Sequence, residues 1–507
     1  MSTAISSTNT ATVTIDSGAL AGSLNDAVLS FKGIPYAEPP VGELRWRAPK
    51  PVAPWPGRRD ARSFGAACMQ PEIHTPLPPP SPVIPPIGKM SEDCLTLNVW
   101  TSADHGEAKR PVMVWFHGGG FYMGSAAWPT YDGAALARDG VVVVTVNYRL
   151  GAFGFFAHPA LSKESVDAPV TNFGLLDMIE SLRWVQRNIA NFGGDPDNVT
   201  IFGESAGGIS VNLLMSSPLA NGLFHRAIAQ SALTWEPLRR LTGISDSAER
   251  WGFDWAAKLG VGQDLKALRA VPAETILAHS MGINDNVGQV IDGKSLTMDT
   301  SEAFRSGRQH RVPYMAGATD YEGGLLADLG PSWAQLLEFL GDKRQKVLKA
   351  YDASGSLSDD AVRRMIYGDS QMIRPAKYLA EQMPKVGSHG YVFNFSYLPE
   401  AVRSMTHGAW HGAEINYIFD TLDDRCREHG APTSEDKAMS RRIRQYWINF
   451  AREGAPGAVD GVEWKPAGQG TLVFSNQGAQ FSSDYLEARM KAIGSYEHPL
   501  VPNLKVG

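Results

Sequence analysis

The stretch "NVTIFGESAGG", residues 198–208, decides how the rest of the chain is read. Val199 to Phe202 are mostly β-branched or apolar and run directly into Ser205, which stands between Gly203 and Gly207. With glycine at 51 of 507 positions, a G-x-S-x-G arises by chance roughly 0.3 to 0.4 times in a chain of this length, so spacing alone settles nothing. The setting is more specific. A strand that ends abruptly at a glycine, followed by a helix beginning near Ala206, predicts the sharp turn that lifts a serine oxygen above the carboxyl edge of a parallel sheet. A side chain at 203 or 207 would crowd that turn or the neighbouring helix, which gives both glycines a reason to be there.

The flanking sequence supports such a sheet. Apolar, β-rich runs fit buried strands at 111–116 ("PVMVWF"), 141–148, 199–202, 226–231, 312–317 ("VPYMAG") and 391–395. Between them Met178, Leu182, Val185 and Ile189 recur at helical spacing, as do Met439, Ile443, Trp447 and Phe450 before Gly454 and Pro456 end the run. This alternation marks an α/β protein, a mainly parallel sheet with helices on both faces, and ligands then gather at the carboxyl ends of the strands. The length suits one elaborated domain over 1–507, with helical insertions at about 233–308 and 325–388 expected to roof the site; the first carries an Asp246 to Glu249 capping pattern. The run "PLPPPSPVIPPIG", 76–88, reads as a stiff spacer near the mouth of the pocket rather than a ligand for a partner's aromatic groove.

Composition excludes several functions. Net charge is −6 and the 47 basic residues form no long run, so there is no footprint for nucleic acid. The longest apolar runs are far shorter than the roughly 18 residues a membrane span needs. The first residues lack a basic region followed by an apolar one, so the chain reads as cytoplasmic as it stands, or as secreted or periplasmic if a leader was removed. Three cysteines are too few for a disulfide scaffold; Cys68 and Cys94 can close one loop, leaving Cys426 free, or all three stay reduced.

Attack on an acyl carbon needs a nucleophile, a base, an acid that orients the base, and donors for the oxyanion. "WFHGGGF", 115–121, follows a strand, and its bare glycines let backbone N–H groups approach a developing negative charge. A phosphate cradle is the rival reading, but no Gly-Lys-Ser/Thr follows.

At this point "FKGIPYAEPPVGELRWRAP", "SEDCLTLNVW", "VMVWFHGGGFYMGS", "VNYRLGAFGFF", "NFGLLDMIESLRWVQRNIANFGGDPDNVTIFGESAGG", "AGATDYEGG", "AWHGAEINYIF" and "YWINFAREGAP" are on the page. In that order, from residue 31 to 456, they resemble the blocks of the type-B carboxylesterase family, which includes the cholinesterases. The resemblance implies an α/β-hydrolase fold and an ester hydrolase working through an acyl-enzyme, with no metal or organic cofactor. Residue by residue it implies Ser205 as nucleophile, Glu322 as acid and His411 as base, with the backbone N–H groups of Gly119, Gly120 and Ala206 holding the oxyanion. The chain order Ser, acid, His independently matches the α/β-hydrolase order. The family's first two cysteines pair, so the resemblance also implies a Cys68–Cys94 disulfide.

Bland rivals remain for each residue. Glu322 competes with Asp320, two residues earlier, for the role of acid. His407 and His411, four apart, would flank a metal if they lay on a helix, although no third ligand is evident. Glu204 adjoins the nucleophile, yet its side chain is expected to point away from the base and so reads as structural. Ala232 and Met178 stand where the family usually has glycine and often has glutamine, which puts substrate in doubt more than mechanism. Phe121, Tyr122, Trp128 and Phe153 lie near blocks that line the family's gorge, which suits a small ester with an apolar or aromatic part; core packing is the alternative for Phe153. Two other functions stay open: a catalytically silent binding protein, against which the presence of all three triad residues counts, and the same machinery acting on amides, lactones or polymeric esters.

Overall fold

The computed structural model describes residues 4–5, 10–72, 84–104, 109–165, 167–233, 237–280, 288–326, 330–423 and 430–494. The parallel centre of its 14-stranded sheet consists of β1 (Arg110–Phe116), β2 (Val142–Val146), β3 (Gly194–Glu204), β4 (Arg226–Gln230), β5 (Tyr314–Thr319), β6 (Gly390–Phe395) and β7 (Thr471–Ser475). Side by side they run β2-β1-β3-β4-β5-β6-β7. The chain therefore steps from β1 outward to β2, returns across β1 to β3, and continues in one direction. That reversal opens a crevice between the carboxyl ends of β1 and β3, where open α/β sheets bind ligands. Antiparallel strands, Thr96–Ser102 beside β2 and Gly478–Ser482 beside β7, carry the sheet outward on each side.

Strands buried on both faces explain why these runs read as continuous apolar stretches. Along β1, Val112, Val114 and Phe116 enter one core together with Met178, Leu182 and Val185 of α1 (Phe173–Asn188) and Val211 and Leu214 of α2 (Ala206–Ser216). Met113 and Trp115 enter the opposite core with Met439, Ile443, Trp447 and Phe450 of α3 (Ser434–Glu453). The helical spacing seen in the sequence is thus the buried stripe of α1 on one face and of α3 on the other. Thr433 caps α3 through a reciprocal box with Asp436, and Gly454 ends it at φ +75°, where a residue with a Cβ is strained.

Several local expectations shift. β3 starts at Gly194, five residues before the apolar run, and β5 lies two residues later than "VPYMAG" suggests. The first insertion carries helices at Ala248–Lys258, Leu265–Ala270, Ala273–Ala278 and Thr300–Arg305 but also pairs Arg239–Arg240 with Val290–Ile291 as a short sheet. Ser247, not Asp246, caps its first helix, accepting from the Arg250 N–H, while Asp246 faces Arg239 at 3.5 Å. The second insertion includes Trp333–Leu340, Arg344–Tyr351 and Asp359–Gly368, then a π-helical turn, Asp369–Ile373, leading into Arg374–Gln382.

Cys68 and Cys94 are both buried and unbridged, contrary to the pairing the resemblance implies. The Cys68 thiol donates to the Tyr148 carbonyl at 3.0 Å, and burial together with the neighbouring Cys68 pushes the Cys94 thiol well up. Cys426 and residues 76–83 of the proline-rich run lie outside the described residues. No helix among the described residues is long and apolar enough to cross a membrane.

Candidate active site

Ser205 occupies the turn between β3 and α2 at φ +56°, ψ −123°, a conformation that costs a residue with a Cβ of order 1–3 kcal/mol and persists only where its surroundings impose it. Those surroundings are the end of β1 and the end of β4. The Ser205 N–H donates to the Gln230 carbonyl at 3.0 Å. A Cβ on Gly207 would lie 1.9 Å from the Phe116 carbonyl oxygen, and one on Gly203 would lie 2.6 Å from the Gly207 backbone. The first turn of α2 thus rests directly on the end of β1, and only glycine permits that approach.

The loop after β1 runs beside this turn: a Cβ on Gly118 would stand 3.1 Å from the Ser205 Cβ. Gly119 adopts φ +103° and would meet the Met123 carbonyl at 2.2 Å if it carried a side chain. The N–H groups of Gly119, Gly120 and Ala206 take part in no backbone hydrogen bond among the described residues, so all three remain available as donors. His117 braces the loop. Burial pushes its imidazole down to about 4, so the ring is neutral; its Nδ1 lies 2.8 Å from the Gly118 carbonyl. Tyr148 stacks on the ring at 4.5 Å between centroids and donates its hydroxyl to the His117 carbonyl at 2.7 Å.

The other wall comes from the loops after β5 and β6. His411 Nδ1 lies 2.5 Å from Glu322 Oε2. Glu322 Oε1 accepts the Thr319 N–H at 2.7 Å and the Ser231 hydroxyl at 2.5 Å, which leaves the carboxylate little freedom to rotate. His411 Nε2 has no hydrogen-bond partner among the described residues. Asp320 does not contact the imidazole; its Oδ1 accepts the Ala409 N–H at 2.7 Å.

Glu204 differs from expectation. Its Oε1 lies 3.1 Å from His411 Nε2, within ion-pair reach though outside hydrogen-bond geometry, so the side chain faces the imidazole instead of pointing away. Gly412 adjoins this contact: a Cβ there would sit 3.2 Å from Glu204 Oε1. Behind it, Glu414 Oε1 accepts from Gln230 Nε2 at 2.9 Å, and Trp447 Nε1 donates to Gln230 Oε1 at 3.2 Å. Burial pushes Glu204 up to about 8 and Glu414 up to about 7. Burial alone would lower His411, but the facing Glu204 and Glu322 outweigh it and hold the imidazole up at about 9.

The sequence reading missed Ser231, Gln230 and Glu414. A strand-end position after β4 was the one available signal for Ser231, since carboxyl ends of sheet strands carry site residues. His407 and His411 lie in loops rather than on a helix, and no group of three or more His, Cys, Asp or Glu among the described residues could hold a metal. Phe121, at φ +63°, packs edge-on against Phe155 at 5.1 Å beside the glycine loop, and Tyr122 stays partly exposed. Trp128 stacks on Tyr131 at 5.9 Å, and Phe153 lines a small cavity with Trp46, Cys68 and Arg149. Ala232 and Met178 are both buried.

A serine elbow at the switch point of a mainly parallel sheet, a glycine loop beside it and an acid–imidazole pair opposite define a serine hydrolase of the α/β-hydrolase fold. Residues 9–491 match the model of the carboxylesterase family, and the chain belongs to that family. It is 38% identical over 469 residues to the fumonisin B1 esterase of Sphingopyxis macrogoltabida, covering 88% of this chain and 83% of that one. Identity to the para-nitrobenzyl esterase of Bacillus subtilis is 35% over 476 residues, 89% and 91% of the two chains. The crystal structure of a Geobacillus stearothermophilus carboxylesterase superposes with a TM-score of 0.81 at 32% identity, covering 95% of this chain and 99% of that one. The protein is a carboxylic ester hydrolase.

Proposed function

We propose that Ser205, His411 and Glu322 carry out this hydrolysis and that Gly119, Gly120 and Ala206 bind the oxyanion. The observation that supports it best is the 2.5 Å contact of Glu322 with His411 Nδ1, which leaves Nε2 without a hydrogen-bond partner. Ser205 Oγ attacks the ester carbonyl carbon as its proton passes to His411 Nε2. The carbonyl oxygen becomes an oxyanion facing the three N–H groups. As the intermediate collapses, the C–O bond to the alcohol breaks and His411 returns the proton to the leaving oxygen. Water then attacks the acyl-enzyme by the same route and frees Ser205. Glu322 holds the Nδ1–H tautomer and stabilises the imidazolium throughout.

The substrate is a small carboxylic ester with an apolar or aromatic part, placed against Phe121 and Tyr122 beside the oxyanion loop. The relatives' names, fumonisin B1 esterase and para-nitrobenzyl esterase, fit an enzyme of small-molecule esters. Helical segments 233–308 and 325–388 roof the entrance of this single domain. A phosphonate ester should leave one adduct, on the peptide carrying Ser205. His411→Ala should abolish both labelling and turnover of a 4-nitrophenyl ester, while His407→Ala keeps most of each. Labelling at another serine, or an active His411→Ala enzyme, overturns the assignment.

A further inference from the structure

The rejected rival acid has a place of its own in the geometry. Asp320 Oδ1 accepts the Ala409 N–H at 2.7 Å, and the adjacent Tyr321 N–H donates to the Ala409 carbonyl at 3.1 Å. Both backbone polar groups of Ala409 are therefore tied to residues 320–321, the C=O through backbone and the N–H through a carboxylate. Ala409 lies two residues before His411, and Tyr321 one residue before Glu322. The two bonds thus fix the register of the imidazole loop against the loop that carries its acid.

The packing around this contact is tight. A Cβ on Gly408 would lie 2.6 Å from Asp320 Oδ1 and 2.8 Å from the Tyr321 Cβ, so the loop lies flat on the carboxylate only because residue 408 is glycine. The Gly408 carbonyl accepts the Thr406 hydroxyl at 2.8 Å, and the Asp320 N–H donates to the Phe395 carbonyl at 3.1 Å, anchoring the clamp to the end of β6. Asp320 keeps part of its surface exposed, yet burial of its carboxyl pushes it up to about 7. A carboxyl retains an accepting oxygen whether or not it is protonated, so the bond to Ala409 survives either state.

We propose that Asp320 is a positioning residue of the esterase: by holding the Ala409 N–H it sets the His411 imidazole at bonding distance from Glu322. The inference rests on His411 and Glu322 being the base and its acid. Catalytic groups held about 1 Å off position lose on the order of 100-fold in rate. Opening the clamp therefore lowers kcat and leaves substrate binding alone.

The test compares Asp320→Ala, Asp320→Asn, Gly408→Ala and His411→Ala on one 4-nitrophenyl ester, with melting temperatures. Asp320→Ala should lose roughly 10- to 100-fold in kcat at a KM within about threefold of the parent. Its acid limb in kcat/KM should move to lower pH, because an imidazole drawn away from Glu322 loses the charge that holds it up. Asn, whose amide oxygen still accepts from Ala409, should restore most of kcat and the original limb. Gly408→Ala opens the same contact from the other side and should reproduce the alanine pattern, so the proposal stands testable even if one variant does not fold. Parent-like kcat and pH profile in either folded clamp variant, beside an inactive His411→Ala, overturns the clamp and leaves the triad standing. An active His411→Ala overturns the triad and the clamp with it.

Discussion

The two walls of the site are built by different physics. The Ser205 wall is made by backbone packed on backbone: Gly203, Gly207 and Gly119 stand where a Cβ would fall within 2.6 Å of a neighbouring main-chain atom. The His411 wall is made by side chains that meet across 89 residues of sequence, with three carboxylates, Glu204, Glu322 and Glu414, crowding one buried imidazole. The first wall is rigid because sterics leave it no alternative. The second is held by hydrogen bonds and charge, so its properties depend on proton occupancy.

If that contrast holds, substitutions on the two walls fail in different ways. Ser205→Ala removes the proposed nucleophile from the rigid wall and should cut kcat by about 10⁶ with an unchanged melting temperature, as loss of a nucleophile does in comparable triads. Retention of substantial turnover would detach the elbow from the chemistry. Gly207→Ala should instead damage the fold. Its methyl overlaps the Phe116 carbonyl, and relief of such overpacking costs roughly 3 kcal/mol, read as a melting temperature lowered by several degrees with activity lost alongside. A Gly207→Ala protein as stable as the parent would show that the close approach of α2 to β1 is not required.

On the charged wall the smaller effect is a pH shift. On the proposed assignment only neutral imidazole accepts the Ser205 proton, so activity should fall as pH drops through the His411 value. Glu204 and Glu322 raise that value above the ordinary 6.5, which places the acid limb of kcat/KM on the alkaline side of 6.5. Glu204→Gln removes the largest of the charges that raise it, and its limb should move to lower pH at little cost in stability. A limb that stays in place would mean that Glu204 does not act on the imidazole.

The same contrast explains what could be read from the sequence. Steric demands at the elbow and the glycine loop are local, so "GESAGG" and "HGGGF" carry them within a few residues, and the strand and helix periods carry the sheet. Ser231, Gln230 and Glu414 act only across strands and loops, through bonds such as Ser231 to Glu322 over 91 residues, and single polar residues in apolar surroundings give no periodic signal. The orientation of Glu204 is hidden for a related reason: it depends on where the loop carrying His411 folds back against the serine turn.

The central claim is that Glu322, and not Asp320, is the acid bonded to His411. The most direct measurement is kcat together with melting temperature for Glu322→Gln beside Asp320→Asn. An amide at 322 favours the wrong imidazole tautomer, so Glu322→Gln should lose roughly 10⁴ in kcat while staying folded, as the equivalent aspartate change does in a comparable triad. Asp320→Asn keeps an acceptor for Ala409 and should retain most of its activity. A crippled but well-folded Asp320→Asn beside an active Glu322→Gln would contradict the account.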